Sequence, residues 1–376
     1  MASASGSREP NPRLFKTIQQ DVGRIGTDVR RAGIKATVVP TFEDLRQFYL
    51  STEHRERLAR MGRVKRALYF AWWLLKGLFF KLTPARRILL LLAFFFFFQG
   101  SGVLVSSDRV NVTVHVGWMG IVLLLLVLAL ELKDKLLARE ELEAGRAVQM
   151  ALMPEPAPAL PGWQIWLFTR PANDVGGDLV DFLRIDPQRA FVVLGDVAGK
   201  GLPAALLMAK LQATVRGLAP EFTSLPEIGA RVNRILNRDG LPNRFATLVY
   251  LEVSPTAGRV RILNAGHMPP IVVRGSTIAE LQRGSFALGM MPDAPYEEQS
   301  TELASGDTLV AYSDGATEAM NAEGDFFGDD RFLALLTSIS AVPLADAGAR
   351  LVGAVDAFVG TARPHDDLSL VLLRRV

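Results

Sequence analysis

Aspartates next to glycine recur at the ends of short apolar runs in the second half of the chain. They are Asp178 in Val175-Gly176-Gly177-Asp178, Asp196 in Gly195-Asp196-Val197-Ala198-Gly199-Lys200-Gly201, Asp314 in Ser313-Asp314-Gly315, and the pair Asp366 and Asp367. A carboxylate directly after a strand is held firmly, and glycine lets carbonyl oxygens and water approach, which suits hard divalent cations. Carboxylates that converge without cations would repel one another. The pattern therefore predicts an oxygen-ligated Mg²⁺ or Mn²⁺ site.

The composition excludes several kinds of catalytic group and metal site. The 376 residues include no cysteine and only four histidines, so disulfides, thiolate nucleophiles and cysteine-ligated metals are excluded. Taken alone, Asp314-Gly315 favours a turn over a metal ligand, because Asp-Gly is common in turns. Gly199-Lys200-Gly201 resembles a phosphate loop, but it lacks the spacing and the Ser/Thr of a P-loop.

The elements that must position these aspartates follow Pro154. Strands are predicted over 163–168, 190–195, 247–252, 259–263, 271–273, 308–312 and 368–372. Helices are predicted over 203–218, 226–237, 331–339 and 344–358, the first with Leu207, Leu211, Val215 and Leu218 on one face. Strands interrupted by two helix pairs indicate an α+β domain in which helices cover a sheet or sandwich.

Several further motifs accompany the aspartates in a fixed order. They include Leu152-Met153-Pro154, Pro171-Ala172, Asp181-Phe182, Ala204-Ala205, Asn264-Ala265-Gly266-His267, Leu288-Gly289 and Glu318-Ala319. Together with the aspartate motifs they resemble the SpoIIE/RsbU branch of the PP2C-type (PPM) serine/threonine phosphatases. The resemblance covers roughly residues 145–376 and leaves the preceding residues without a counterpart.

The resemblance implies a PP2C-like αββα sandwich with a two-metal centre at one edge of the sheets. It implies that Asp178, Asp196, Asp314 and Asp366 carry catalysis as ligands of two Mn²⁺ or Mg²⁺ ions. The Val197 carbonyl would be a further ligand and Asp367 a supporting group, although two adjacent aspartates leave open which one binds directly. The ions would activate water for in-line attack on phosphorus. The helix pair after Asp196 would be a regulatory switch or only a cover for the sheet.

Two other residues lie near these motifs. His267 lies in a stretch that favours a structural turn over a catalytic role. Arg170 is the nearest candidate for the arginine that clamps phosphate in eukaryotic PP2C enzymes, to which no residue here clearly corresponds.

The expected substrate is a phosphoserine or phosphothreonine of a cytoplasmic regulator, such as an anti-sigma-factor antagonist of the STAS type. Two alternatives remain open. One is a catalytically silent membrane scaffold with a phosphatase-like domain, and the other is a hydrolase of small phosphorylated molecules.

The first 153 residues indicate a membrane anchor. Residues 1–62 form a basic region of unknown role, and residues 1–87 carry a net charge of +11. An interfacial or packing helix is predicted over 63–83, rich in aromatic residues. Residues 88–107 and 110–130 lack Asp, Glu, Lys and Arg, and each is long enough to cross a bilayer. They predict a transmembrane hairpin over 84–130, with a buried soluble hairpin as the alternative.

The distribution of charge predicts where this anchor lies. The basic flank before the first span predicts that both termini, and with them residues 154–376, lie in the cytoplasm. With the resemblance to bacterial phosphatases, this implies a multi-pass protein of the bacterial inner membrane whose phosphatase domain, 154–376, is cytoplasmic. Basic residues there suit anionic lipid, and no nucleic-acid partner is expected. Residues 131–153 predict a linker helix that could pair with a second copy in a homodimer.

Overall fold

The computed structural model of the protein describes residues 62–99, 101–107, 110–239 and 244–376. The predictions for the basic region before Gly62 lie outside the described residues. The chain divides into two compact units, Met1–Asp134 and Lys135–Val376.

Helices dominate the described part of the first unit. Helix α1 spans Arg63–Lys81, α2 spans Pro84–Gln99, and α3 begins in this unit and spans Gly117–Leu152. A two-stranded antiparallel hairpin, β1 (Ser101–Ser107) and β2 (Val110–His115), lies between α2 and α3. Gly120 lets α3 approach α2 closely, since a Cβ there would lie 2.5 Å from the Ala93 carbonyl oxygen. Arg86 forms ion pairs with Glu131 and Asp134 at 2.7 and 2.6 Å.

The transmembrane hairpin predicted from the two apolar blocks is not supported. The first block is helical only as far as Gln99, and residues 101–107 form a strand instead. The second block begins as a strand, and its helix starts at Gly117 and continues to Leu152 through the predicted linker 131–153. None of the helices in the described segments combines the length and the apolar composition needed to cross a bilayer. The valines between 103 and 114 explain the strands, because β-branched side chains favour extended backbone.

The second unit contains two five-stranded antiparallel sheets. The first sheet has the order β10-β7-β6-β5-β4 and the second has the order β3-β12-β11-β8-β9. Their bounds are β3 (Trp163–Arg170), β4 (Leu179–Arg184), β5 (Ala190–Val197), β6 (Ala246–Val253), β7 (Arg259–Ala265), β8 (Ile271–Arg274), β9 (Thr277–Glu280), β10 (Glu298–Glu302), β11 (Thr308–Tyr312) and β12 (Leu368–Arg375).

Two helix pairs cover the outer faces of these sheets. Helices α4 (Leu202–Leu218) and α5 (Leu225–Asp239) pack on the first sheet, and α6 (Asp329–Leu336) and α7 (Leu344–Val359) pack on the second. A separate apolar layer fills the space between the sheets, with Val192, Leu251 and Val371 among its buried residues. The predicted αββα sandwich is therefore confirmed.

Apolar periodicity explains why the predicted helices form. Helix α4 buries Leu207, Leu211 and Val215 on one face, as the spacing of these residues predicts. It starts after Gly201, whose φ of 74° suits glycine, and has a proline in its first turn.

Strands β4, β9 and β10 were not predicted. Asp181 interrupts the apolar run of β4, yet it is buried because Arg216 of α4 bonds it at 2.7 and 2.6 Å. Strands β9 and β10 lie at sheet edges and are largely polar.

Candidate metal centre

Two of the predicted ligands lie at one end of the first sheet. Leu179 pairs with Gly195 in the β4–β5 ladder, so Asp178, directly before β4, lies at the same sheet end as Asp196 in β5. Gly177 lies close to two of the predicted oxygen donors, in Val197 and Asp196. A Cβ at Gly177 would lie 3.1 Å from the Val197 carbonyl oxygen and 3.5 Å from Asp196 Oδ1. Two of the predicted oxygen donors of this sheet thus lie beside a residue that has no side chain to fill the space.

The other predicted ligands lie at one end of the second sheet. Asp314 follows β11 and Asp366 and Asp367 precede β12, and these two strands are antiparallel neighbours. The Ser313 N–H donates to the Ser369 carbonyl at 3.0 Å, and the Ser313 hydroxyl donates to the Asp367 carbonyl at 3.1 Å. Gly315 is required here, because a Cβ would collide with that same carbonyl oxygen. The ligand-bearing loops of β11 and β12 are therefore held against each other.

Asp366 and Asp367 have different environments. Asp367 is buried, and its carboxylate accepts hydrogen bonds from the N–H groups of Ala172, Gly177 and Asp178 at 2.7, 2.6 and 3.4 Å. Asp366 is partly exposed, and its Oδ2 lies 3.1 Å from Lys200 Nζ. Asp366 is thus the better placed of the two to bind an ion, while Asp367 holds the segment that carries Asp178.

Burial and neighbouring carboxylates raise the pKa values of three predicted ligands, Asp178, Asp196 and Asp314. The pKa of Asp178 is well above its ordinary value, mainly because of burial and next because of Asp196, while the hydroxyls of Ser369 and Ser313 act in the opposite direction. Burial, with repulsion from Asp314, Asp366 and Asp367, raises the pKa of Asp196 to about 6. Burial and Asp366 also raise the pKa of Asp314. The carboxylates of both sheets therefore face a common space.

The donor set fits a divalent cation. All the predicted ligands are oxygen atoms, and buried Asp178 Oδ2 has no hydrogen-bond partner in the structure. A buried anionic oxygen without a partner is costly, and a cation would satisfy it. Among the described residues, however, no three acidic or histidine side chains are clustered tightly enough to form a closed metal site. Binding would therefore require the carboxylates to draw together, which an ion would favour by cancelling their repulsion.

Lys200 is a site residue whose importance the sequence did not reveal. Its Nζ donates to the His365 carbonyl at 2.8 Å and forms the ion pair with Asp366. In the sequence, Gly199-Lys200-Gly201 shows only a weak likeness to a phosphate loop and does not predict these contacts. Arg170, by contrast, directs two guanidinium nitrogens at the Asp356 carboxylate of α7. It is therefore engaged in an ion pair.

His267 has a structural environment. It is fully enclosed, and burial lowers its pKa to about 4. Its Nδ1 lies 2.8 Å from the Thr247 hydroxyl and its Nε2 3.1 Å from the Tyr312 carbonyl. Thr247 pairs with Asp196 across the β5–β6 ladder, and Tyr312 ends the strand before Asp314. The neutral imidazole thus connects the strands that carry two predicted ligands.

The two sheets, their helix layers and the acidic edge define a PP2C-type serine/threonine phosphatase domain of the SpoIIE/RsbU branch. The family model for SpoIIE, Stage II sporulation protein E, matches residues 186–376. The chain therefore belongs to the SpoIIE family. The match includes Asp196, Asp314, Asp366 and Asp367, whereas Asp178 lies before it.

Named relatives and a solved structure are similar to about two thirds of this chain. Protein IcfG of Synechocystis sp. is 28% identical over 280 residues, which is 66% of this chain and 43% of IcfG. Phosphoserine phosphatase RsbU of Bacillus subtilis is 25% identical over 241 residues, which is 63% of this chain and 70% of RsbU. The SiaA-PP2C domain of Pseudomonas aeruginosa has the same fold, with a TM-score of 0.56 and 20% identity over 65% of this chain and 98% of that domain. The chain thus spans less than half the length of IcfG.

Proposed function

We propose that this protein is a metal-dependent protein serine/threonine phosphatase. The observation that carries the proposal is that Asp178 and Asp196 lie at one end of the first sheet and Asp314 and Asp366 at one end of the second, and that burial and neighbouring carboxylates raise the pKa values of Asp178, Asp196 and Asp314. The similarity to a phosphoserine phosphatase supports the same reaction class.

Each predicted site residue would have a distinct role in binding the ions or the phosphate group. Asp178, Asp196, Asp314, Asp366 and the Val197 carbonyl would hold Mg²⁺ or Mn²⁺, and two ions are expected. Bound ions of this kind supply Lewis acidity that activates water and offsets the charge of phosphate. Asp367 orients the Gly177–Asp178 backbone, and Lys200 brings a positive charge to the entrance beside Asp366, where a phosphate group would approach.

The substrate is proposed to be a phosphorylated cytoplasmic regulator, for which a STAS-type anti-sigma-factor antagonist is the leading candidate. The support is family membership alone, so an experiment must separate a phosphoprotein from a small molecule. A silent scaffold is the other outcome to be tested.

The test is hydrolysis of a phosphoserine peptide and of an aryl phosphate by the full chain, with and without Mn²⁺. Asp196→Asn and Asp314→Asn should each reduce turnover by roughly 100-fold or more, exceeding the usual effect of residues that only support a ligand. Asp239→Asn is the matched control, because Asp239 is an acidic residue whose partners are Arg238 and Lys210. It should retain wild-type turnover.

Three results would contradict parts of this proposal. Turnover that persists without divalent ions would contradict metal dependence. Hydrolysis of the aryl phosphate without that of any phosphopeptide or phosphoprotein would favour the small-molecule hydrolase. Mn²⁺ binding by calorimetry and turnover both absent in the wild type would favour the scaffold.

We propose that the first unit attaches the protein to the cytoplasmic face of a bacterial inner membrane. Helix α1 exposes Leu68, Trp72, Leu75 and Phe80, and α2 exposes Ile88, Leu91, Phe94 and Phe98. Apolar and aromatic side chains exposed beside basic residues suit a lipid interface.

We also propose that residues 131–153 pair two copies of the chain in a homodimer. The second half of α3 exposes Leu136, Leu137 and Val148, which a partner helix would cover. Sedimentation of the full chain as a monomer at tens of micromolar would contradict this pairing.

A further inference from the structure

A buried glutamine on α3 contacts the backbone that leads into a predicted metal ligand. Gln149 is 5% exposed. Its Nε2 donates to the Gly176 carbonyl at 2.8 Å, and the Gly176 N–H donates to its Oε1 at 3.1 Å. We propose that Gln149 is a positioning residue for Asp178. This inference rests on the proposed metal-dependent function.

The Gln149 amide makes the two backbone hydrogen bonds to Gly176 that a neighbouring strand would otherwise make. Residues 175–178 are buried and precede β4, and the β4–β5 ladder begins only at the Leu179–Gly195 pair. The ladder therefore does not hold Gly176. A primary amide has an N–H donor and a carbonyl acceptor whose separation matches that of the Gly176 carbonyl and N–H groups. A hydrocarbon side chain of the same length has neither. Buried backbone groups that lose such partners are costly.

The same short segment is held from its other side by Asp367. The Gly177 N–H donates to Asp367 Oδ2 at 2.6 Å, one residue away from the contact with Gln149. A Cβ at Gly176 would lie 2.5 Å from that oxygen, so the segment is enclosed between Gln149 and Asp367. Among the described residues, Asp178 Oδ2 has no hydrogen-bond partner. The way in which the preceding backbone is held therefore contributes to where this oxygen lies.

The last turn of α3 is also attached to the helix that follows Asp196. Gln212 of α4 donates from Nε2 to the Leu152 carbonyl at 2.9 Å. Helix α4 begins five residues beyond Val197, at Leu202. One turn of α3 thus contacts the segments that follow and precede two predicted ligands, Asp196 and Asp178. A displacement of this turn would change the separation of those carboxylates and hence the affinity for an ion.

The experiment is a calorimetric titration of the metal-free full chain with Mn²⁺. Gln149→Met keeps the length and helix preference of the side chain but removes both hydrogen bonds, and Gln149→Asn shortens the amide by one methylene. Each should weaken Mn²⁺ binding by roughly 10-fold to 100-fold, the usual effect of losing a group that orients a ligand. Turnover should recover when Mn²⁺ is raised in proportion.

Asn233→Leu is the matched control. Asn233 is also a buried amide, and it holds a loop by both kinds of bond, donating to the Met291 and Pro292 carbonyls and accepting from the Gly289 N–H. It should lower the melting temperature without changing the dissociation constant for Mn²⁺.

An unchanged Mn²⁺ dissociation constant in either folded Gln149 variant would overturn the inference. So would an equal loss of Mn²⁺ affinity in Asn233→Leu, since that would indicate general destabilisation. A wild-type chain that binds no Mn²⁺ at all would instead contradict the proposed function, so the two failures are distinguishable.

Discussion

The two adjacent aspartates illustrate how much a single position changes the role of a carboxylate. Asp367 accepts hydrogen bonds from three backbone N–H groups, whereas Asp366 is partly exposed and forms an ion pair with Lys200. The motif His365-Asp366-Asp367 could not separate these roles, because the sequence does not show which carboxylate turns inward. The sequence does show that strands and loops alternate. This alternation is enough to predict that the aspartates lie near one another.

This difference predicts that the same substitution affects a different property at each of the two positions. Asp367→Asn should lower the free energy of unfolding of the metal-free protein by about 1–3 kcal/mol, since buried N–H groups lose their anionic acceptor. Asp366→Asn should leave that stability nearly unchanged and weaken Mn²⁺ binding. Urea unfolding and Mn²⁺ titration measure the two effects. A larger loss of stability in Asp366→Asn than in Asp367→Asn would reverse the assignment.

His267 predicts a dependence of stability on pH. Its pKa falls from an ordinary value of 6.5 to about 4 in the folded protein, so between these values the unfolded chain binds more protons. Stability should therefore rise with pH through this window, by up to about 3 kcal/mol. Asp196, whose pKa is raised to about 6, acts in the opposite direction over part of the window.

Comparison with His267→Gln isolates the histidine contribution. The stability difference between wild type and variant should change in favour of the wild type from about pH 4 to 6.5 and stay constant above it. Urea unfolding at several pH values measures this difference. A difference independent of pH would show that folding does not change the pKa of His267, and a change in the opposite direction would show that the folded state keeps His267 protonated.

At the scale of elements, the strands and helices were easiest to predict where one face is apolar. Helices α4 and α5 and the central strands have that pattern, and the structure has them within a few residues of the predicted bounds. The sequence does not predict strand β4, because the burial of Asp181 depends on an ion pair with Arg216, which is 35 residues away. The helix predicted to continue to Ser107 ends at Gln99, since hydropathy alone does not distinguish a helix from a β-branched strand.

Helix α7 contains two glycines in contrasting environments. A Cβ at Gly348 would overlap the Trp166 ring of β3, whereas a Cβ at Gly353 would meet nothing within 4 Å. Gly348→Ala should therefore destabilise the protein by about 1–3 kcal/mol, because it forces the helix away from the sheet. Gly353→Ala should stabilise it by about 0.5–1 kcal/mol through helix preference.

Thermal melting of both variants tests this close approach. A neutral or stabilising Gly348→Ala would mean that α7 does not lie against Trp166. Because both positions belong to one helix, helix preference alone predicts the same sign for the two substitutions.

At the scale of the whole molecule, the first unit should confer binding to lipid. The full chain is expected to sediment with vesicles that contain phosphatidylglycerol and less with vesicles of phosphatidylcholine alone. Trp72→Glu should weaken this binding roughly tenfold, because it places a charge among the exposed apolar residues of α1. Leu206→Glu in the phosphatase domain is the control, since Leu206 and Trp72 are both 63% exposed.

The manner of attachment can be separated from attachment itself. Release of the chain from membranes by alkaline carbonate would indicate a surface contact, and retention would indicate insertion across the bilayer. Equal binding of Trp72→Glu and wild type to anionic vesicles would contradict the role of α1.

Strand β12 has a consequence for how an active molecule arises during synthesis. It lies between β3 and β11 inside the second sheet and directly follows Asp366 and Asp367. Strands β3 and β11 are therefore synthesised before β12, the strand that joins them. Pairing between strands that are far apart in the sequence is slow. Until residues 366–375 emerge, a nascent chain has neither the joined second sheet nor the final aspartates. The order of synthesis thus delays the assembly of the full set of predicted metal ligands until Asp366 and Asp367 have emerged.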